Sequence, residues 1–476
     1  MKNVFKKTAV SMTVLAALGS GAAFAQSIEQ SQTQPNVVIL FADDLGYADV
    51  GYHNSSKDVE TPNMDRLAAS GAALTAGYVT APVCGPSRAG LTSGRYQQRF
   101  GFHNNTGPFV REEGIVQGTP DGMLNNNFGY YFQQAGYVTG MVGKHHDGKQ
   151  RKFWPHHRGF DEFYGFNNGA ANYFVGPQNQ ETASSKPFSV MYRNDKVDDN
   201  FDEYLTDRFG SEAISFIERH KDSPFFLYVP FNGVHGPLQA TEEDLERYAH
   251  IEDKKRRKLL AMNYNVDRNI GRILDTLEEN ELTENTIVFF LSDNGGKPKG
   301  NASYNLPLRA QKGTLWDGGI RIPFAVSWPG TIPAGQTIDE PIISLDILPT
   351  MAAAANVDVQ ADWNLDGVNL LPLLTGEDKS LENRFLYWNT SMAGAIRDHD
   401  WKLVMPNIRN QRPRVQLFNI SNDISESKDL AKEHPEQVKR LQEAWNAWDA
   451  ENEAAMWGWN RNMFPVETNW RNLNSL

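Results

Sequence analysis

Four short runs of apolar residues constrain the fold of this chain more than any other feature of its sequence. The runs span residues 37–41, 137–142, 225–229 and 287–291. Their β-branched and aromatic side chains are typical of strands that are buried on both faces of a sheet. Helical patterns lie between the runs, at residues 64–70, 209–220 and 267–280. Strands that alternate with helices predict an α/β fold, in which helices sandwich a large and mostly parallel sheet.

The pattern changes after residue 381. Short alternating runs follow at residues 385–388, 395–397, 401–404 and 416–419. They predict a small antiparallel sheet, closed by a helix over residues 435–452. We therefore predict a large α/β domain over residues 26–381, and a small α+β domain with a tail over residues 382–476.

The amino terminus has the layout of a cleavable secretory signal. Basic residues among the first seven precede an apolar run at residues 9–17 and the small-residue site Ala23-Phe24-Ala25. The apolar run is too short to span a bilayer, and a buried first helix would not need the basic start. We predict a signal peptide over residues 1–25 and a periplasmic or secreted product without membrane insertion.

The chain of 476 residues has a net charge of −12 and a single cysteine, Cys84. The negative charge repels polyanions at long range, which argues against nucleic acid as a partner and requires a locally basic pocket for any acidic substrate. One cysteine in an exported chain excludes an internal disulfide framework. Its thiol is either an apolar filler of the core or a reactive group.

Two acidic clusters directly follow predicted strands. Asp43 and Asp44 come after the first strand, and Asp293 and Asn294 come after the fourth. Ligands of open α/β sheets bind at the carboxyl ends of the strands, so we expect these side chains to meet. Each cluster alone could be a turn or a helix cap. Together, their oxygen donors suit Ca²⁺ or Mg²⁺ better than zinc.

The other two strands also end in polar residues. Lys144 and His146 follow the second strand, and His235 follows the third. Each of the three is, taken singly, as compatible with a solvated loop as with a site. Four strand ends that carry polar chemistry at one edge of a sheet predict a common site.

Cys84 begins the most specific motif of the chain, CGPSRAGLTSGR, which ends at Arg95. Pro86 favours the first turn of a helix, which would place Cys84 at the anion-binding amino end. The motif matches the signature C-x-P-S-R-x-x-L-x-[ST]-G-R, and the chain resembles the formylglycine-dependent type I sulfatases of the alkaline phosphatase superfamily. The resemblance extends to Lys312, which precedes the sequence WDGG. One departure is GKHHDG at residues 143–148, where that family has GKWHLG, so that the packing around Lys144 and His146 is in question.

The resemblance implies an alkaline-phosphatase-like fold and a formylglycine (3-oxoalanine) at position 84, which a formylglycine-generating maturation enzyme makes from Cys84. It implies a Ca²⁺ site formed by Asp43, Asp44, Cys84, Asp293 and Asn294. It also implies that the catalytic residues are Cys84, Arg88, Lys144, His146, His235 and Lys312.

In the mechanism that the resemblance implies, the hydrated aldehyde is a geminal diol. One hydroxyl accepts the sulfuryl group, and the other expels sulfate and restores the aldehyde. Arg88 and Lys144 steady the diol, and Lys144, His235 and Lys312 surround the sulfate oxygens. His146 is the candidate base and His235 the candidate acid, although the two assignments can be exchanged.

Two segments with weak periodicity, residues 97–127 and 148–199, predict long loops that carry a sugar-binding site. The candidates for stacking on sugar rings are Trp154, Tyr173 and Phe174, and those for binding additional sulfates are Arg99, Arg111 and Arg158. The alternative is that the aromatic residues fill the interior of the loops. The overall pattern resembles bacterial polysaccharide sulfatases, which predicts a sulfated glycan substrate such as carrageenan.

Three further interpretations stay open from the sequence. A phosphomonoesterase or phosphonate hydrolase of the same superfamily would share the fold. A non-catalytic, glycan-binding relative would keep the fold without the chemistry. The basic run at residues 254–258 is predicted to be a solvated helix face, with a polysaccharide contact as the alternative.

Overall fold

The structure is a computed structural model that describes residues 34–106, 118–174, 190–198, 202–406 and 415–457. The predicted signal peptide and Arg111 lie outside the described residues. Sixteen strands are present among those described: β1 (Asn36–Ala42), β2 (Ala72–Leu74), β3 (Gly77–Tyr78), β4 (Val138–Lys144), β5 (Glu162–Phe166), β6 (Tyr192–Arg193), β7 (Lys196–Val197), β8 (Phe225–Pro230), β9 (Thr286–Ser292), β10 (Phe324–Ser327), β11 (Gln336–Ile338), β12 (Ile342–Ile343), β13 (Phe385–Asn389), β14 (Gly394–Asp398), β15 (Trp401–Met405) and β16 (Gln416–Asn419).

The α-helices fall between and around these strands. Within the described ranges they are α1 (Pro62–Ala69), α2 (Cys84–Ser93), α3 (Phe128–Gln134), α4 (Leu205–His220), α5 (Glu242–Arg247), α6 (Lys254–Glu279), α7 (Asp317–Ile320), α8 (Ile347–Ala354), α9 (Leu371–Thr375) and α10 (Pro435–Asp449).

A ten-stranded sheet in the order β11-β2-β10-β9-β1-β8-β4-β5-β6-β7 forms the centre of the molecule. Its five middle strands, β9, β1, β8, β4 and β5, are parallel to one another. The side chains of β1 alternate between two buried clusters, with Val38 and Leu40 on one face and Val37 and Ile39 on the other. Helices α1, α4 and α6 cover the first face, and α3 and α8 contribute to the second. The predicted sandwich of helices around a mostly parallel sheet is confirmed.

The small carboxyl-terminal sheet is also confirmed. Strands β13, β14, β15 and β16 are antiparallel in that order, and α10 packs against them. The buried cluster under this sheet includes Tyr78 and Leu345 of the preceding segment. The indole of Trp388 donates to the carbonyl of Val79 at 2.7 Å. The small sheet is therefore packed closely against the central one.

Three local predictions were wrong. The segment 148–199 is not one loop, because β5 pairs in parallel with β4 and extends the central sheet. Gly165 interrupts the strand pattern in the sequence. A glycine is needed at this position because a Cβ would lie 1.9 Å from the carbonyl oxygen of Gly143. Helix α6 begins at Lys254 and not near residue 267, so that the basic run forms its first turns. Arg256 in that run is buried and pairs with Asp49 at 2.8 Å, which contradicts its assignment to a solvated face.

Within the described ranges, no helix combines the length and the apolar character that crossing a bilayer requires.

Candidate active site

The carboxyl ends of β1, β4, β8 and β9 meet at one edge of the central sheet, as their parallel pairing requires. Backbone hydrogen bonds join the turns that follow these strands. The amide of Asp43 donates to Gly233 O at 2.8 Å, and the amide of Asp293 donates to Ala42 O at 3.0 Å. All seven residues that the sequence placed at strand ends are thus brought to one site.

Three carboxylates and one amide form the buried acidic part of the site. Asp43, Asp44, Asp293 and Asn294 are at most 4% exposed. Asp293 Oδ1 accepts the amide of Asp44 at 3.0 Å, and Asn294 Nδ2 donates to Asp44 Oδ1 at 2.8 Å. The Oδ1 atom of Asn294 is buried and has no hydrogen-bond partner among the described residues. A buried acceptor without a donor, beside three carboxylates, fits a hard cation.

Cys84 is the first residue of α2 and is only 1% exposed. Its sulfur lies 3.5 Å from Asp43 Oδ1 and 3.0 Å from Lys312 Nζ. The helix starts there because Val83 is extended and Pro86 suits the first turn, and it ends at Gly94 in the left-handed region, with φ of 65°. The side chain at position 84 therefore projects from a helix amino terminus into the acidic group.

Three cations neutralise the carboxylates. Lys144 Nζ lies 2.5 Å from Asp43 Oδ2, and Lys312 Nζ forms an ion pair with Asp44 Oδ1. Arg88 donates from Nη2 to Asp293 Oδ2 at 2.8 Å and from Nη1 to the carbonyl of Lys144 at 3.0 Å. The three cations thus balance the three carboxylates, so that within an acidic protein the site does not carry the net negative charge that would repel an anionic substrate.

The charges of the cluster shift the acidities of its members in different directions. Burial raises the pKa of Asp43, but Lys144, His235 and Arg88 outweigh it and hold that pKa below the usual range. Burial and the charge of Asp43 raise the pKa of Asp293 to about 6, against the effect of Arg88. Burial and the charge of Asp293 raise the pKa of the Cys84 thiol well above its usual value. An unmodified thiol at this position would therefore stay protonated at neutral pH.

The two histidines of the site differ in environment. His146 is buried, its φ of 64° is in the left-handed region, and its Nδ1 has no partner among the described residues. Burial, followed by the charges of Lys144 and Arg88, lowers the pKa of His146 well below its usual value. The side chain of His235 is 25% exposed, and its Nε2 lies 3.8 Å from Asp44 Oδ2. Its Nδ1 lies 2.7 Å from the carbonyl of Gly236, which fixes the ring and leaves Nε2 toward the cluster.

Of the two unusual residues His145 and Asp147, Asp147 is accommodated by a polar network beside the site, whereas Nδ1 of His145 is buried without a hydrogen-bond partner among the described residues. Asp147 forms a buried ion pair with Arg158 and accepts the hydroxyl of Thr119 at 2.7 Å. The amide of His145 donates to Phe166 O at 3.0 Å. The buried charge of Asp147 is thus paired, at a position where apolar packing was expected. Arg158 is buried in this pair, so its prediction as a sulfate contact was wrong.

The other predicted sugar contacts are mostly internal. Trp154 and Tyr173 are buried, and the Tyr173 hydroxyl lies 2.7 Å from the carbonyl of His235, which it supports from below. Arg99 forms an ion pair with Asp366 at 2.7 Å. The assignments of Trp154 and Tyr173 were wrong, because these aromatic residues stabilise the loops themselves. The side chain of Arg99 is 23% exposed, and its role as a sulfate contact stays a prediction. Phe174 is 39% exposed and remains a stacking candidate.

Several residues that shape the site were missed from the sequence. Asn301 Nδ2 donates to the carbonyl of Asp44 at 3.2 Å, and Ser303 Oγ accepts the amide of Gly46 at 2.7 Å. Asn105 Oδ1 accepts the amide of Gly85, next to Cys84, at 2.7 Å. All lie in irregular segments rich in Gly and Asn, and that general enrichment was the available signal.

Comparisons with known proteins agree with this geometry. The sulfatase family model matches residues 35–357, and a model described as N-sulphoglucosamine sulphohydrolase, C-terminal, matches residues 310–449. Arylsulfatase J of Mus musculus is 31% identical over 461 residues, which cover 86% of this chain and 75% of that protein. N-acetylgalactosamine-6-sulfatase of Canis lupus familiaris is 32% identical over 414 residues, covering 82% of this chain and 75% of that protein.

A solved structure is similar over nearly the whole chain. The crystal structure of Ps i-CgsB superimposes with a TM-score of 0.81 and 35% identity, covering 92% of this chain and 97% of that one. The same protein has been solved in complex with k-i-k-neocarrahexaose. Both the central and the carboxyl-terminal sheets are therefore shared with known relatives.

Proposed function

The chain belongs to the sulfatase family and is a sulfuric ester hydrolase, and on that premise we propose that it is exported and removes sulfate from a sulfated polysaccharide or its oligosaccharides. The observation that carries the proposal is the position of Cys84. It lies at the start of α2, 3.5 Å from a carboxylate oxygen of Asp43 and 3.0 Å from the ammonium of Lys312. A reacting group at this point has acidic residues on one side and a cation for the sulfate on the other.

We propose that position 84 acts as formylglycine, made by a maturation enzyme. The raised pKa of the thiol argues against a thiolate nucleophile. Hydrated formylglycine supplies two hydroxyls on one carbon, so that one can take the sulfuryl group and the other can expel sulfate. The buried, single cysteine within its full signature supports this assignment.

We further propose that Asp43, Asp44, Asp293, Asn294 and the modified residue 84 hold Ca²⁺. The unpartnered Oδ1 of Asn294 and the oxygen-only donors of the four acidic-cluster residues support a hard cation. When bound, Ca²⁺ would polarise the sulfate and favour ionisation of the attacking hydroxyl. In the absence of the ion, Lys144 and Lys312 neutralise Asp43 and Asp44.

The cations of the pocket have separate tasks in this proposal. Arg88 is buried between Asp293 and the carbonyl of Lys144, so it fixes the acidic group and the last residue of β4. Lys312 is the more accessible of the two lysines, with a side chain 14% exposed, and it can turn toward a sulfate oxygen. Lys144 and His235 complete the donors around the sulfate, where negative charge accumulates in the transition state.

Proton transfer falls to the two histidines. His146 is held neutral by its surroundings, and its ring can take a proton from the hydroxyl that expels sulfate. His235 can deliver a proton from Nε2 to the leaving alcohol, since Nδ1 is directed to the carbonyl of Gly236. Its partial exposure places it on the side from which a large alcohol enters.

The names of the relatives support a glycan substrate. N-acetylgalactosamine-6-sulfatase acts on a sulfated sugar by its name, and Ps i-CgsB has been crystallised with a carrageenan oligosaccharide. Exposed Phe174 offers an apolar ring beside Tyr173, whose hydroxyl contacts the His235 loop. We propose a carrageenan-like galactan as the substrate, encountered in the periplasm or outside the cell after export.

The decisive experiment is the release of free sulfate from carrageenan, its oligosaccharides, glycosaminoglycans and an aryl sulfate, with a matched aryl phosphate. We expect sulfate from a glycan and little phosphate. Mass spectrometry should show formylglycine or its hydrate in the peptide that contains position 84. Cys84→Ser should stay folded and nearly inactive. Preference for the aryl phosphate would favour the phosphatase alternative, and glycan binding without sulfate release would favour a non-catalytic relative.

A further inference from the structure

The last described residues of the chain return to the loop that follows α2. The amide of Glu453 donates to Gln98 O, and the amide of Met456 donates to Gly101 O, both at 3.0 Å. Asn104 Nδ2 donates to the carbonyl of Trp457 at 3.0 Å. Residues 453–457, which we call the tail segment, are therefore joined to residues 98–104 by backbone groups along their length.

Trp457 closes this contact and is only 2% exposed. Its indole nitrogen lies 3.0 Å from the carbonyl of Asn104 and 3.1 Å from that of Asn105. Its ring meets Phe102 edge to face, with 4.7 Å between the ring centroids. A rigid ring that contacts both the carbonyls and the preceding side chain fixes the backbone at Asn105.

Asn105 in turn contacts the residue next to the nucleophile. Its Oδ1 accepts the amide of Gly85 at 2.7 Å, and that amide belongs to the first turn of α2, where helix geometry provides no internal acceptor. A Cβ at position 85 would lie 3.0 Å from the same oxygen. The loop thus approaches the backbone beside Cys84 as closely as a glycine allows.

We propose that Trp457 is a positioning residue for position 84 and acts through Asn105. The chain of contacts runs from the indole to the carbonyls of residues 104 and 105, from the Asn105 side chain to Gly85, and by one peptide bond to Cys84. Through the apolar cluster of Ala89, Phe100, Phe102 and Trp457, the same ring also supports the outer face of α2. The catalytic consequence rests on the proposed function, whereas the structural link does not.

The first test uses protein whose Cys84 is the unmodified thiol, so that it is independent of turnover. Hydrogen exchange at the Gly85 amide and the rate of Cys84 alkylation by iodoacetamide are measured in Trp457→Ala, Trp457→Phe and Asn105→Ala. We expect exchange and alkylation to rise about tenfold in Trp457→Ala and Asn105→Ala, since local opening becomes easier. Trp457→Phe, which keeps a ring against Phe102, should lie between these and the wild type.

The matched control is Trp328→Phe. Trp328 also donates its indole N–H to a backbone carbonyl, that of Glu284 at 3.0 Å, and it follows β10 at the opposite edge of the sheet. It should leave both rates unchanged. If Trp457→Ala lowers the melting temperature but leaves Gly85 exchange and Cys84 alkylation at wild-type values, the positioning role is overturned.

The second test uses the matured enzyme with the best sulfate ester found. Trp457→Ala and Asn105→Ala should each lower kcat about tenfold with little change in KM, because a small misplacement of a reacting group affects the chemical step. The double variant should be no worse than Asn105→Ala, as expected for residues that act in series. Additive losses would overturn the link. If the wild type releases no sulfate, the proposed function fails, and the exchange measurements still decide the positioning role.

Discussion

Two buried charged clusters of this molecule have similar residues but differ in how many of their buried polar atoms have hydrogen-bond partners. The joining cluster, between the central and small sheets, contains Asp317, Lys402 and Glu426. Lys402 Nζ lies 2.5 Å from Asp317 Oδ1 and 2.9 Å from Glu426 Oε1, and Glu426 Oε2 accepts the amide of Asp317 at 2.7 Å. Among the described residues, none of the polar side-chain atoms of these three residues lacks a partner.

The active-site cluster has the same kinds of residues but leaves buried atoms unpaired. Asn294 Oδ1, His146 Nδ1 and both amide atoms of Asn232 have no hydrogen-bond partner in the described part of the chain. Most buried polar atoms are paired in native proteins, so a group of unpaired ones calls for an explanation, and an ion is one of the possible explanations. The comparison teaches that charge and burial alone do not identify a site. Unpaired atoms help only together with the acidic cluster and Cys84, since buried atoms such as Ser344 Oγ are unpaired elsewhere in the described part of the chain.

The largest expected effect is on the joining cluster. Lys402→Met leaves two buried carboxylates without their shared cation, so we expect the free energy of unfolding to fall by about 3–5 kcal/mol. Urea denaturation measures the change. The sulfatase activity of the remaining folded protein should be close to that of the wild type.

The control is Lys428→Met, which breaks an exposed pair with Glu433 at 3.2 Å. We expect less than about 1 kcal/mol there. A Lys402→Met protein of native stability that had lost activity would show that the joining cluster takes part in catalysis, contrary to the comparison.

The next effect is on the active-site cluster and is catalytic. Lys312→Ala removes a donor that lies against Asp44 and the nucleophile position, so kcat/KM for sulfate release should fall by about 10²–10³-fold. Stability should fall less than in Lys402→Met, because the side chain of Lys312 is 14% exposed, whereas that of Lys402 is fully buried. Exposed Lys297, in the neighbouring loop, provides a control, and Lys297→Ala should retain full activity. Strong destabilisation by Lys312→Ala would place it with the structural lysines.

The third effect concerns the cation. If Asn294 Oδ1 and the carboxylates of Asp43, Asp44 and Asp293 bind Ca²⁺, the ion at about 100 times its Kd should stabilise the protein by about 3 kcal/mol, and a chelator should remove that gain. Thermal unfolding with Ca²⁺, Zn²⁺ and chelator measures it. Asp293→Ala should lose the shift, whereas Lys312→Ala should keep it. A larger shift with Zn²⁺ would contradict the oxygen-donor assignment.

The smallest effect is a pH dependence of the joining cluster. Burial raises the pKa of Glu426 to about 7, and Lys402 only partly opposes this because it lies closer to Asp317. Between the ordinary pKa and about 7, folded Glu426 keeps a proton that the unfolded chain releases. The stability contribution of Glu426 is therefore present at low pH and is lost as the pH rises, by about 1.4 kcal/mol per pH unit.

Glu426→Gln removes this titration. Urea denaturation from pH 4.5 to pH 7.5 measures the free energy of unfolding of both proteins. As the pH rises, the value for the wild type should fall relative to that for the variant. Parallel curves would mean that Glu426 is ionised throughout this range.

The strand ends could be predicted from the sequence because their physics is local. A buried parallel strand is a continuous apolar run, and the first polar residues after it must lie at the sheet edge. Asp43, Asp293, Lys144 and His235 were found in this way. Their convergence followed from the parallel order of the strands.

The wrong predictions concern residues whose partners could not be recognised from the sequence, whether they lie 11 positions away, as Asp147 does from Arg158, or 207, as Asp49 does from Arg256. Arg256 can be buried because its guanidinium donates a hydrogen bond to Asp49, which lies 207 positions away in the sequence. Arg158 and Tyr173 looked suited to sugar binding, but Asp147 and the His235 loop occupy them. The type of a residue shows which hydrogen bonds and ion pairs its side chain can form. Only the fold shows whether a partner within the protein already forms them.

The tail segment also has a consequence for the order of events during biosynthesis. Cys84 is 1% exposed in the folded chain. Trp457 contacts the carbonyl of Asn105, whose side chain accepts the amide of Gly85 next to Cys84. At roughly 5–20 residues per second, Trp457 is synthesised some tens of seconds after Cys84. If Cys84 is matured as proposed, the modifying enzyme can reach it most easily within this interval, before the tail segment packs against the loop that follows α2.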